Sequence, residues 1–252
     1  MEGGWSGAAV PAFGSMRRTK MKSARVVLGV CLAIAAASVD AATAGAVSQL
    51  SGTLAVKRAD GSIKLLSQKS EVAPGDTLTT EKDSYAQVKL SDGGLVTMKP
   101  NTRVKLDDYF FSDQQPEKDS LTYNLLKGGL RFVTGLIGKR GNRDAYKLTT
   151  ATATVGIRGT AGGADDCTDL LNPCRNPENN QDLPAGVYVN VTEGEIVVAN
   201  SAGSRNFTAG TFGLIALNQA PILIPVTAAV PPFVPPPSFQ GGRPGAQECQ
   251  VR

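Results

Sequence analysis

Between Leu50 and Asp108 apolar and polar side chains alternate in short runs, among them LAVKR, IKLLS, DTLTT, YAQVKL, LVTM and RVKLDDYFF. Alternation with period two places successive side chains on opposite faces of a strand, so each run predicts a strand with one face in a core. The runs are separated by turn formers: Asp60-Gly61, Pro74-Gly75, Asp92-Gly93 and Pro100-Asn101. Gly and Asn accept positive φ and Pro presets φ, which is why such pairs reverse a chain. No convincing amphipathic helix interrupts the series. Turns every ten or so residues predict an all-β sandwich, barrel or β-solenoid. DGGLVTMKPNTRVKL and EGEIVVANSAGSRNF echo each other loosely, a pattern that irregular solenoid rungs permit.

Downstream, residues 113–119, DQQPEKD, read as an exposed polar loop. Two apolar runs then flank Gly128 and Gly129, with Leu130, Phe132 and Leu136 expected in the core. The cluster Lys139, Arg140, Arg143 lies among Gly138 and Gly141 and reads as a solvated turn in preference to an anion site. Residues 146–160, YKLTTATATVGIRGT, alternate with small β-branched residues and end in two glycines three apart around one guanidinium. Glycine inside a strand marks a bend or a close backbone approach. Arg158 is expected near the middle of the β domain. Its five-donor fork suits an anion or partner contact, but a structural arginine that satisfies carbonyls or a carboxylate is the favoured reading.

From Ala161 to Ala185 the β pattern stops, and a long inserted loop is expected. Asp165, Asp166 and Asp169 cluster there without the spacing of a calcium loop, so they read as solvated carboxylates. Cys167 and Cys174 enclose Asn172 and Pro173, and a local disulfide is their natural reading in an oxidising compartment. Cys249 is left over. From Pro221 the composition turns Pro-rich, then Gly-rich, predicting a disordered or extended tail. Its apolar residues Ile222, Leu223, Ile224, Phe233, Val234 and Phe239 leave room for packing along the domain or on a partner.

The N-terminal region changes how charge is read. Five of the ten residues 16–25 are basic, residues 26–39 are uncharged and mostly apolar, and Ala42-Thr43-Ala44 follows. That order is the pattern of a secretory signal peptide, and the apolar run is shorter than the roughly 18 residues a membrane span needs. Five of 26 Lys and Arg and two of 22 Asp and Glu fall within residues 1–44, leaving 21 against 20. A mature chain of net charge +1 has no basic field for nucleic acid. It also has no His, which removes His-based nucleophilic triads and His-ligated metals together. No phosphate loop, nucleophile elbow or dinucleotide fingerprint occurs. Asp76, Asp92, Asp107, Asp108, Glu193 and Glu195 mostly stand beside turn residues, where Asp accepts backbone N–H bonds. No catalytic, cofactor-binding or metal-binding residue is expected.

The string TATATVGIRGT, preceded by GDTLTT, AQVKLSDGGLVTMKPNTRVKL and LLKGGLRF and followed by VTEGEIVV, resembles the FecR periplasmic domain family over about residues 52–216. GIRGT is its most specific part, singling out Gly156, Arg158, Gly159 and Thr160. The resemblance implies a right-handed β-solenoid-like fold and a sensing role, with no catalytic residues. In complete regulators of this type a membrane helix relays the state of a transporter to a cytoplasmic anti-sigma segment, and that segment is not recognisable before the apolar run. The expected organisation is therefore residues 1–44 as an N-terminal extension and signal peptide, 45–218 as a FecR-like β domain with 161–185 inserted, and 219–252 as the tail. The expected function is an exported, non-enzymatic binding, sensing or scaffold module, periplasmic or secreted. Its expected partner is another envelope protein or an envelope polymer, with no nucleic acid and no stable membrane span. The alternative is a membrane-anchored regulator contacting a transporter or sigma-factor system.

Overall fold

The computed structural model describes residues 43–176 and 179–230 together with Phe233, Pro236 and Phe239. The signal-peptide reading, Cys249 and most of the tail lie outside the described residues. No helix among the described residues is long and apolar enough to cross a membrane.

The all-β expectation holds. Fifteen strands among the described residues form one continuous sheet. They are β1 (Gly45–Ser51), β2 (Leu54–Lys57), β3 (Ile63–Leu66), β4 (Glu71–Val72), β5 (Thr77–Thr80), β6 (Tyr85–Leu90), β7 (Leu95–Met98), β8 (Arg103–Phe110), β9 (Ser120–Val133), β10 (Tyr146–Thr149), β11 (Thr154–Cys167), β12 (Gly186–Asn200), β13 (Gly203–Thr208), β14 (Phe212–Ile215) and β15 (Ile222–Ile224). Two short 3-10 turns, Pro116–Lys118 and Val226–Ala228, accompany them.

Three long strands fold this sheet into two layers. The first half of β9 pairs with β8 and β10, and its second half pairs with β7 and β11. β11 and β12 divide in the same way, their segments around Val155 and Val198 in one layer and around Ala164 and Val189 in the other. The first layer thus runs β3-β2-β5-β8-β9-β10-β11-β12-β13, and the second runs β4-β1-β6-β7-β9-β11-β12-β14-β15. Every pairing is antiparallel except β9 with β10.

The core sits between the layers. Leu54, Val56, Val104, Leu106, Leu121 and Leu125 face it from the first layer, and Val47, Val88, Met98, Leu130 and Phe132 from the second. Phe132 meets Tyr146 edge-on across the gap at 6.3 Å between ring centres. Packing is close: the apolar cavity between β4, β6 and β7 on one side and β5, β8 and β9 on the other measures about 20 Å³. Burying a large side chain here contributes about 1.5–3 kcal/mol.

Three expectations are corrected. Leu136 is 43 % exposed and Ile137 is fully buried in its place, because the chain leaves β9 after Val133 and the Ile137 N–H docks on the Asp92 carboxylate. Residues 161–167 belong to β11, so the loop begins at Thr168. That segment is buried on both faces and shows no alternation, and Gly162 and Gly163 let Asn190 and Phe132 pass too close for a side chain. Third, Ile222–Ile224 pairs with β14, so the tail begins with a strand. At the other end Ala44 is fully buried, its N–H donating to the Val72 carbonyl at 2.8 Å.

Candidate functional site

The GIRGT residues lie where β11 passes from one layer to the other. The register shifts between Arg158 and Ala161, a bulge that turns the strand. Thr160 pins this corner. Its N–H donates to the Thr134 hydroxyl at 2.9 Å, and its carbonyl accepts from both the Thr134 N–H (3.0 Å) and hydroxyl (2.6 Å). The Thr160 hydroxyl donates to the Glu195 carbonyl at 2.5 Å and accepts the Glu195 N–H at 3.2 Å. One buried threonine therefore ties the end of β9 to the corner of β12, where Gly194 sits against Gly159.

Arg158 does not lie in the interior. Its side chain is 35 % exposed, and it pairs with Asp144 through Nη2 at 2.6 Å and Nε at 2.8 Å. Gly156 lies in regular β11, paired with Lys147 on one side and Val197 on the other.

The basic cluster is divided between roles. Arg140, read from sequence as part of a solvated turn, clasps the 112–119 loop: Nε donates to Asp119 at 3.1 Å, Nη1 to Asp113 at 3.0 Å and Nη2 to the Ser112 carbonyl at 3.1 Å. Its guanidinium also lies over Phe111, 4.7 Å from the ring centre. Lys139 donates to the Thr134 carbonyl at 2.9 Å, supporting the Thr160 corner. Sequence spacing hides the clasp because Asp119 is 21 residues from Arg140.

Cys167 and Cys174 form a disulfide. The acidic residues around it separate. Asp165 points to the outer side of the second layer and takes Lys99 Nζ at 2.5 Å. Asp166 accepts the Thr168 hydroxyl at 2.6 Å, and Asp169 accepts the Leu171 N–H at 3.0 Å and Asn172 Nδ2 at 3.1 Å. No group of three or more His, Cys, Asp or Glu among the described residues is arranged to hold a metal. Leu170 and Leu171 stand at the loop tip, 79 % and 91 % exposed.

The outer side of the second layer is covered over β7, β11 and β12, while Lys89 on β6 and Glu71 on β4 stay exposed. Strand register points Thr97, Asp165, Tyr188 and Asn190 outward, yet all four are buried. Phe233 stacks on Tyr85 at 5.7 Å and lies over Lys99, and Phe239 meets Tyr85 edge-on at 6.4 Å. The loop joins the cover: Asn176 Nδ2 donates to the Thr227 carbonyl at 2.8 Å, and the Tyr188 hydroxyl donates to the Pro184 carbonyl at 2.8 Å.

Under this cover, burial pushes the Asp165 carboxyl above its ordinary pKa although Lys99 opposes the shift. The folded chain then binds this proton more readily than the unfolded chain. Asp165's contribution to stability consequently falls as pH rises from the unfolded value, about 3.9, through the raised folded value. Asp165→Asn is expected to gain stability relative to the parent between pH 3.5 and 7. Urea midpoints across that range measure it, and a difference that stays flat or runs the other way refutes it.

The outer side of the first layer is open. Alternation points Lys57, Thr77, Lys105, Asn124, Thr149 and Thr154 outward there, one from each successive strand, with Lys57 and Thr154 exposed and the other four half-buried. Lys105 pairs with Asp107 at 2.6 Å, whereas Lys57, Arg103 and Lys147 have no ion pair among the described residues. This is a largely polar, mildly cationic surface nine strands wide, with apolar Ile63 and Leu65 at its β3 border.

Comparison with known proteins agrees with the corner and its motif. Residues 76–173 match the FecR protein family. The FecR match takes in β5 to β11, including GIRGT, and the first part of the disulfide-bearing loop, to Pro173. Two crystal structures of a candidate anti-sigma factor from Parabacteroides distasonis, at 2.50 and 1.65 Å, are similar to 59 % of this chain, with TM-scores of 0.42 and 0.41 and identities of 15 % and 14 %. The chain covers 57 % of the length of each. No curated protein matches it.

Proposed function

We propose that this chain is an exported, non-enzymatic binding or sensing module of FecR type, working at the bacterial cell envelope through contacts with another envelope protein. The observation that carries the reading is the asymmetry of the two layers. The chain covers the middle of the outer side of one with its own loop and tail aromatics and leaves the other open and largely polar. The polar side chains at the corner and the clasp are consumed in holding the scaffold, with Thr160, Asp119 and Arg140 each engaged by several partners. The FecR match supports a regulatory, signalling role. The parallel pairing of β9 with β10 is rung-like and supports a solenoid-like reading of the middle of the sheet.

The same match favours a second reading, a membrane-anchored regulator contacting a transporter or sigma-factor system. Intact mass of the protein recovered from a native envelope fraction separates the two. A chain that starts near Gly45 and loses two protons to the Cys167–Cys174 bond is expected for the exported module. A mass that retains residues 26–39 overturns export as a soluble module and supports the anchored regulator.

A further inference from the structure

The first layer ends on β3, whose sequence is Ile63-Lys64-Leu65-Leu66. β3 pairs only with β2 among the described strands, so its free side presents unpaired backbone N–H and C=O groups. Ile63 and Leu65 point to the open side of the layer and are 71 % and 75 % exposed. Exposed sheet borders usually carry polar or charged side chains that discourage pairing with another chain. At the opposite end of the same layer β13 follows that practice, with Ser204, Arg205 and Asn206 exposed. On the second layer β4 is only two residues long. The fourth border, β15, exposes Ile222 and Leu223 at 47 % and 50 %, but as sequence neighbours they fall on opposite faces. β3 instead sets two strongly exposed apolar side chains side by side on one face, uncovered among the described residues.

The charges around it state what fits. Lys64 lies on β3, Lys57 faces Ile63 across the β2–β3 pair, and Lys69 follows the strand. The nearby acids are engaged: Asp60 accepts the Ser62 N–H at 2.8 Å, Asp76 pairs with Arg58, and Glu71, which lines the same recess as Lys64, accepts the Thr43 hydroxyl at 3.4 Å. A second copy docked border to border would bring these lysines against their own equivalents, and opposed like charges destabilise a strand pair. A strand with apolar side chains toward Ile63 and Leu65 and carboxylates on its other face, toward Lys64, meets no such penalty.

We propose that β3 is a docking edge, to which an extended segment of another protein, alternating apolar and acidic residues, adds as a tenth strand of the first layer. Main-chain hydrogen bonds supply affinity and the alternate side chains supply selectivity. The proposal deepens the binding-module reading and rests on it.

The test uses the full chain and three labelled eight-residue peptides, alternating Val with Glu, Val with Lys, or Ser with Glu. Fluorescence anisotropy should show the Val/Glu peptide binding at least about tenfold more tightly than either control, a difference of 1.4 kcal/mol. Its binding should slow amide exchange at Ile63–Leu66. The double substitution Ile63→Lys with Leu65→Lys should abolish both effects while leaving the urea midpoint unchanged, since both side chains are exposed. Equal binding of all three peptides, protection elsewhere, or binding that survives the double substitution overturns the docking edge. So does concentration-dependent dimerisation lost in the same variant, which would make a second copy the occupant. If the double variant still captures its envelope partner by cross-linking, the edge is overturned and the binding-module reading stands; a chain that captures none in either form sinks both.

Discussion

Replacing Asp92 by Ala is expected to destabilise the fold by about 4 kcal/mol, because it orphans two buried backbone donors at about 1–3 kcal/mol each and leaves a small void. Asp92 is 4 % exposed and stands in the turn between β6 and β7. Its Oδ1 accepts the Gly94 N–H and its Oδ2 the Ile137 N–H, both at 3.0 Å, and its carbonyl accepts the Leu136 N–H at 3.0 Å. Its own N–H donates to the Tyr109 hydroxyl at 2.9 Å. One residue thus holds the segment after β9 against both layers. Burial, with a smaller contribution from the Asp92 charge, pushes the Tyr109 hydroxyl up to about 12. For a domain of this size each kcal/mol moves the melting temperature by about 2–4 °C, so a fall of about 8–16 °C is expected. Asp92→Asn keeps one acceptor and should fall between. Asp107→Ala, at a half-exposed pair with Lys105, should stay within about 0.5 kcal/mol. A loss below about 1 kcal/mol for Asp92→Ala would mean that the orphaned donors find other partners.

Asp92 also shows where sequence reading succeeds and where it stops. Its place in an Asp-Gly-Gly turn marks it as an acceptor for local N–H groups, and Gly94 is that partner. Nothing in the spacing announces Ile137, 45 residues away. The same division runs through the molecule. Strands with one wet face, such as β2, β6 and β8, alternate visibly because water and core select different side chains. The second halves of β9 and β11 and the first half of β12 are covered on the outside by loop and tail, so the selection that writes alternation is absent. That is why residues 161–167 read as loop. The Cys167–Cys174 pairing is local and was legible. The Arg140 clasp and the stacking of Phe233 on Tyr85 join residues far apart in sequence and were not. The corner was legible as a place, through the glycines of GIRGT, but not in its parts: Thr160 with Thr134 holds it, and Arg158 stands outside on Asp144.

The glycines divide those parts, and substituting each by Ala should give three different costs. Gly156→Ala is expected to be neutral to within about 0.5 kcal/mol, since the backbone there is regular strand and the nearest atom to a new Cβ, the Val197 carbonyl oxygen, is 3.7 Å away. Gly159→Ala meets only Lys139 Cγ at 3.5 Å, but its φ of +68° lies in the left-handed region, which costs a residue with a Cβ about 1–2 kcal/mol. Gly194→Ala incurs that same strain at φ +77° and also drives its Cβ to 2.6 Å from the Gly159 carbonyl oxygen and 3.1 Å from Thr160 Cα. These neighbours are backbone and belong to the pinned corner, so they cannot swing aside. The expected loss is about 3 kcal/mol or more, with the Thr160–Glu195 bonds the first to open. Urea denaturation of the three variants measures the series, and amide exchange at Thr160 and Glu195 locates the damage. Equal costs at Gly156 and Gly194 would refute the corner as the reason for the glycine pattern. The order Gly194 above Gly159 above Gly156 would show that the motif is written by the crossing of two bent strands, with its least replaceable glycine 35 residues beyond Gly159, on β12.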